Sequence, residues 1–399
     1  MKYEPIALQN RIVSIDIIRG FALFGIFLVN MPTFHSPDFL HQLYGLQSEY
    51  KGIDFWTNIF FQLFVQMKFF PMFSFLFGLG FFIFMNRAKE KGNMSSSLYL
   101  RRISFLFVFG IVHLIFLWFG DILHLYAAGG LLLLAFYNRK PKTILIWALS
   151  LLILYFSSLA LQLLIPASFM EEIQQMNAAQ GKEELAHYLK MYTEASYWDW
   201  IVYRLGVEVI PILLVMPFSL IPVFAMFLLG LFAGKIRIFE TDPKNIVKKI
   251  WITTLLAGLP LTIILALSLL SIINLHIHQE ASILLFTSMN GIVLCLFYIS
   301  SLILLLRTDR WRKYLYGFRY SGQMAFTNYI MQTVICQIIF LGFNLYGKVS
   351  LFSGTILCII IYIFQIIISW LWLKKFRFGP LEWLWRSFTY LQIQRLKIK

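Results

Sequence analysis

The sequence predicts an all-α fold, a polytopic membrane helical bundle of about ten transmembrane helices with both termini in the cytoplasm. Three observations predict it. Of 399 residues, 59% are hydrophobic and only 13% charged, whereas soluble domains run near ~45–50% apolar and ~25% charged. A chain of this composition has too little polar surface to cover a core in water. That excludes a soluble globular enzyme, a disordered chain and a disulfide scaffold. Second, the apolar residues fall in runs near the ~20 residues that a helix needs to cross the hydrocarbon core. Third, the net charge of +15 sorts to one side once the spans are drawn, so it reads as topology and not as nucleic-acid binding.

In chain order the runs are 14–34, 57–85, 103–120, 122–137, 143–165, 207–232, 250–273, 282–306, 321–343 and 349–373. The second is too long for one straight span, and Pro71 is expected to divide it into an amphipathic leading segment and a membrane helix. The third and fourth form a tight hairpin through Gly120-Asp121. Residues 166–206 form a polar, helix-prone external segment over the outer face. It separates an N-terminal group of helices, 14–165, from a C-terminal half, 207–399, within a single integral-membrane domain 1–399. Pro211, Pro217 and Pro222 are expected to break the sixth run, a feature tolerated where backbone lines a cavity or packs on protein.

With the N-terminus inside, every Lys and Arg except Lys51, Lys68, Lys182, Lys190, Arg204 and Lys348 falls in or beside a cytoplasmic segment, as the positive-inside rule requires. The first run begins late, carries Asp16 and Arg19, and lacks a small-residue cleavage pattern, so it reads as a retained helix rather than a signal peptide. The tail Arg395-Leu396-Lys397-Ile398-Lys399 is expected at the anionic inner leaflet. Cys295, Cys336 and Cys358 sit inside apolar runs and read as buried, inert thiols, with no zinc pattern.

Function is sought where polarity is expensive, because an ionisable side chain inside a bilayer needs a partner. In the first helix Asp16 and Arg19 stand i, i+3 on one face, and Asn30 returns to that face three turns later. The packing alternative is an ion pair near the interface. His113 lies within an apolar helix with Asp121 at its external end. A neutral imidazole there can serve as a base; the alternatives are a packing histidine and an aspartate capping the next helix. Ser321, Ala325, Asn328, Gln332 and Cys336 form one small, polar face, either helix glue or a cavity wall. Glu208 is a further candidate. His35, Asp38, His41 and Asp54 are external acid–base candidates, or simply solvated loop residues. No Walker A, Rossmann glycine pattern, HExxH or GxSxG is present, which removes ATP-driven pumps and common hydrolase templates. Phe77-Gly78-Leu79-Gly80-Phe81 reads as close helix packing.

The segment Ser14-Ile15-Asp16-Ile17-Ile18-Arg19-Gly20-Phe21-Ala22-Leu23-Phe24-Gly25-Ile26, closing on Val29-Asn30, resembles the opening motif of the YeiB-like, DUF418-containing bacterial membrane proteins. Further matches are Phe73 to Gly80, Arg101-Arg102, Gly120-Asp121-Ile122-Leu123 with Tyr126-Ala127, Gly322 to Tyr329, and Gly379-Pro380-Leu381-Glu382-Trp383-Leu384-Trp385-Arg386. The resemblance implies a multi-pass protein of the bacterial cell membrane and kinship with the transmembrane acyltransferases. In those relatives an acyl group from a cytoplasmic acyl-CoA reaches an acceptor on the other side, and a histidine near the first membrane helices is catalytic. Here His35, His41 and His113 all remain open for that role, with Asp121 as partner. Asp16, Arg19, Asn30, Tyr126, Asn328, Gln332, Glu382 and Arg386 are the candidate substrate-binding set, and Arg101 and Arg102 the candidate cations for CoA phosphates. Acyl-CoA would be a donor substrate, with a lipid or sugar acceptor and the lipid bilayer as surroundings. The alternatives are a multi-pass transporter of a small solute and a structural or sensory membrane protein.

Overall fold

The computed structural model describes residues 13–46, 50–90, 95–274 and 276–398. The N-terminal arm, Lys91 and Lys399, all expected in the cytoplasm, lie outside the described residues. Among the described residues nine helical segments are long and apolar enough to cross a membrane, and a lone bridge between Phe376 and Lys397 is the only β pairing. The protein is a multi-pass helical membrane protein.

Helix α1 (Val13–His35) is followed by the short α2 (Asp38–Tyr44). The second run is α3 (Ile53–Phe60), a π-helical stretch Phe61–Val65, and α4 (Phe69–Glu90). The division falls at Gln66–Lys68 and not at Pro71. Gln66 is extended, with ψ 132°, and Met67 has φ 62°. Pro71 is the third residue of α4, where its missing N–H costs the helix nothing.

Helix α5 (Ser95–Phe116) and α6 (Leu123–Phe136) follow. At 14 residues α6 is about 21 Å long, too short to cross alone. The connection between α5 and α6 makes up the difference by lying inside the bundle, with Trp118, Phe119 and Asp121 buried. Next come α7 (Pro141–Leu161) and α8 (Ala167–Thr193), a helix within the segment 166–206. Helix α9 (Tyr197–Arg204) runs through a π-helical stretch Leu205–Val209 into α10 (Ile210–Lys235). The irregularity of this run is thus the π stretch. Pro217 and Pro222 sit inside a continuous α10.

Helices α11 (Ile246–Leu269), α12 (Gln279–Leu305) and α13 (Asp309–Tyr314) lead to a broken run. Its parts are α14 (Gly317–Gln323) and α15 (Ala325–Gln337), parted at Met324, with a π-helical end Ile338–Gly342. Helix α16 (Leu351–Leu373) and the amphipathic α17 (Pro380–Tyr390) complete the chain. The three cysteines are buried and free.

Two contacts fix the site. Helix α1 crosses α14 at backbone distance: a Cβ on Gly20 would lie 2.0 Å from Phe318 O, and one on Gly322 would lie 1.9 Å from Asp16 O. Only glycine permits that approach. At the other end Tyr188 and Tyr192 of α8 donate hydroxyl protons to Glu208, the first at 2.6 Å. Arg204 Nε donates to the same carboxylate at 2.6 Å, and its other nitrogens reach the carbonyls of Leu114, Ile115 and Leu117. The cap α8 and the end of α5 are therefore held by one buried ion pair. This is the role the structure gives Glu208.

Candidate functional site

A cavity of about 290 Å³ lies between α1, α4, α5, α6, α14, α15 and α17, at the end of the bundle where α1 begins. That volume is near the ~300 Å³ lower bound of small-molecule sites. Its depth is apolar, lined by Leu23, Ile26, Leu76, Phe77 and Leu106, and its floor is Ile122, Leu123, Tyr126 and Tyr329. Its rim is charged, carrying Arg19, Arg102, Glu382 and Arg386. A Cβ on the lining residue Gly80 would meet nothing within 4 Å, so this glycine faces open space. Gly78, in contrast, is pressed against Phe227 O. Helix packing explains the first of the two glycines only.

The acids on the rim and behind it are committed. Asp16 accepts from Arg19 Nη1 at 2.9 Å and Gln323 Nε2 at 3.2 Å. Glu382 caps the start of α15, exposed by the break at Met324. Its Oε1 accepts from the N–H of Phe326 at 2.8 Å and Thr327 at 3.1 Å, and its Oε2 accepts the Thr327 hydroxyl at 2.5 Å. A carboxylate at a helix N-terminus satisfies orphan donors and the helix dipole. Burial pushes the Glu382 carboxyl above its ordinary value, and these hydrogen bonds oppose but do not cancel that rise. Arg102, by contrast, rests on rings. Its guanidinium lies 3.5 Å from the Trp385 ring centroid and 5.4 Å from that of Phe84. No described residue offers it a carboxylate or a hydrogen-bond acceptor.

Beneath the floor lies a buried polar cluster. His113 Nδ1 donates to Asp121 Oδ2 at 2.7 Å, and Asp121 Oδ1 accepts from His124 Nδ1 at 2.8 Å and His124 N at 3.0 Å. A carboxylate can only accept, so it fixes both imidazoles with a proton on Nδ1. In the neutral imidazole His113 Nε2 is then an acceptor, and the Thr333 hydroxyl lies 3.1 Å from it. Asp121 therefore both caps α6 and orients a histidine. Gly110 permits the arrangement, because a Cβ there would stand 2.4 Å from His124 N. Tyr329 separates this cluster from the cavity; its ring lies 5.5 Å from that of His113, and its hydroxyl donates to Gly120 O at 3.2 Å.

The remaining candidates lie elsewhere. Tyr126 lines the cavity, with its hydroxyl 2.8 Å from Ser74 Oγ. Asn328 and Gln332 face α16, bonding Ser369 at 2.9 Å and Gln365 at 3.0 Å, so these two side chains join α15 to α16, whereas Ala325 of the same face lines the cavity. Asn30 and Arg101 are absent from the cavity wall. His35 is buried at the far end of α1, with neither ring nitrogen hydrogen-bonded within the described residues. His41 sits on α2; burial lowers its pKa and Asp38 opposes the shift. Neither histidine joins the cluster. His124, Thr333, Trp385 and Tyr329 were not among the candidate site residues read from the sequence, although Trp385 and Tyr329 fall within the matching motifs. His124 had a signal in its i+3 spacing from Asp121; Thr333 had none.

These features define a multi-pass helical membrane protein with an arginine-rimmed, apolar cavity backed by a buried His–Asp–His cluster. The family model described as "Protein of unknown function (DUF418)" matches residues 233–392. The uncharacterized protein YxaH of Bacillus subtilis (strain 168) is 35% identical over 409 residues, covering 99% of this chain and 98% of the relative. An uncharacterized 39.9 kDa protein in the amylase 3' region of Bacillus acidopullulyticus is 32% identical, covering 97% and 96%. The uncharacterized protein YeiB of Escherichia coli (strain K12) is 40% identical over 68 residues, 17% of this chain and 18% of its own. No solved structure matches the chain. The protein belongs to the YeiB-like DUF418 family.

Proposed function

We propose that the protein transfers an acyl group from a cytoplasmic acyl-CoA to an acceptor at or across the bacterial cell membrane, and that the donor's acyl end enters the cavity. One observation carries the reading: Arg102 stands at the rim of an apolar cavity with no anionic partner, while Glu382 on the rim and Asp16 behind Arg19 are already engaged. A phosphate or pyrophosphate answers a guanidinium of this kind, and an acyl chain answers the apolar depth. From Arg102 to His113 along α5 is about 16 Å at 1.5 Å per residue, so a base lies beyond the floor. Asp121 holds that base in the tautomer that can accept a proton.

The test is saturable binding of radiolabelled octanoyl-CoA to the purified protein. Gly80→Leu fills space that no atom occupies and should abolish binding without loss of folding. Arg102→Gln should weaken it by about 10-fold or more, the scale of one charge-assisted contact. Absence of binding to the wild-type protein, or undiminished binding to Gly80→Leu, refutes the proposal. Transport draws on a different observation, the break at Gln66–Lys68 beside the buried Lys68, whose Nζ donates to Gln62 O at 2.8 Å. Saturable solute uptake by vesicles that bind no acyl-CoA would favour that reading.

A further inference from the structure

We propose that Thr333 is the nucleophile that carries the acyl group between donor and acceptor, an inference that rests on the acyl-transfer reading. Asp121, His113 and Thr333 form a continuous line of hydrogen bonds: 2.7 Å from carboxylate to Nδ1 and 3.1 Å from Nε2 to the hydroxyl. A hydroxyl on an imidazole that is itself oriented by a carboxylate is the arrangement that activates a weak nucleophile. Several other hydroxyls of the membrane helices bond back to the carbonyl one turn earlier, as Ser74, Thr254, Thr262, Ser300 and Thr355 do. Thr333 instead spends its hydroxyl on His113.

Position supports the assignment. Ala325, Phe326 and Tyr329 of α15 line the cavity, and Thr333 continues their stripe one turn beyond the floor, about 6 Å deeper. The ring of Trp118 lies 6.5 Å from that of His113, and its buried Nε1–H has no acceptor among the described residues. A buried donor without an acceptor is available to an oxygen on which charge develops.

In the first half-reaction Thr333 Oγ attacks the thioester carbonyl carbon and its proton passes to His113 Nε2. The C–S bond breaks and the proton leaves with the CoA sulfur, giving a threonyl ester and free CoA. In the second, an acceptor hydroxyl attacks the ester carbonyl and its proton passes to His113 Nε2. The ester C–O bond breaks, and the proton returns to Thr333 Oγ. No electron is gained or lost. Admission of the carbonyl requires Tyr329 to swing from the floor.

The test incubates the full-length protein with radiolabelled acetyl-CoA or octanoyl-CoA without acceptor, then denatures it and maps the label by peptide mass. One acyl group on the peptide containing Thr333 is expected. Thr333→Ser should still be labelled, and Thr333→Val should bind acyl-CoA like the wild type yet lose label and transfer by about 10²-fold or more. Label on His113, or transfer by Thr333→Val at the wild-type rate, overturns the proposal while leaving acyl transfer in place. A wild-type protein that binds no acyl-CoA overturns both.

Discussion

At the residue scale, the positions that mattered were those where the sequence puts a polar group against its surroundings. Asp16, Arg19, His113 and Asp121 were legible on that ground, since an ionisable group among apolar neighbours must find a partner. Which partner was not legible: Gln323 is 307 residues from Asp16 and Thr333 is 220 from His113. Asn328 and Gln332 show the converse, because a polar helix face can be satisfied wholly by a neighbouring helix. His113→Gln is expected to fold and to keep its affinity for octanoyl-CoA, since an amide can occupy the same hydrogen bonds. Its acyl transfer should fall by roughly 10²-fold or more, because an amide takes no proton. Turnover measured beside binding separates the two, and a near-normal rate would return His113 to packing.

At the element scale, the apolar runs and their order are legible in the sequence, and the sites of their interruptions are not. Proline drew the eye to Pro71, Pro217 and Pro222, yet the chain departs from α-helix at Gln66–Lys68, Leu205–Val209 and Met324. A proline early in a helix is benign, whereas a π stretch or a stop is set by what packs against it. The ion pair of Arg204 and Glu208 is 1% and 0% exposed at its side chains. Removing one member leaves a buried charge, at a cost of about 3–5 kcal/mol. Glu208→Ala should therefore loosen α8, seen as faster proteolysis within 167–193; an unchanged digestion pattern would show that α8 is held by its apolar contacts alone. Glu382 makes a pH prediction. Its folded pKa lies above the ordinary 4.5, so its contribution to stability is full below that value and is lost as pH rises through the folded pKa. Melting temperatures from pH 4.5 upward should fall accordingly, and Glu382→Gln should flatten that part of the curve.

At the scale of the whole molecule, composition and charge gave the architecture because a bilayer imposes both helix length and charge asymmetry. Single cysteines placed in 166–205 are expected to react with an impermeant reagent on intact cells, and those in 233–249 only after permeabilisation. The opposite pattern would invert the protein and move the cavity to the outer face. The cavity itself was not legible, since no segment contains it. Its rim joins Arg19 of the first helix to Glu382 and Arg386 of the last, and α15 begins at a stop that α17 must cap. That cap has a consequence in time. During synthesis the membrane helices emerge and insert one after another, but until α17 follows them Glu382 is not there to accept from the N–H groups of Phe326 and Thr327, and the cavity lacks one of its walls. On the acyl-transfer reading the chain would therefore be inert toward acyl-CoA for most of its manufacture and acquire binding at one late step. Protein stopped after Phe378 should insert as the full chain does and fail to retain octanoyl-CoA, and a separately supplied α17 peptide is the reagent with which to restore it.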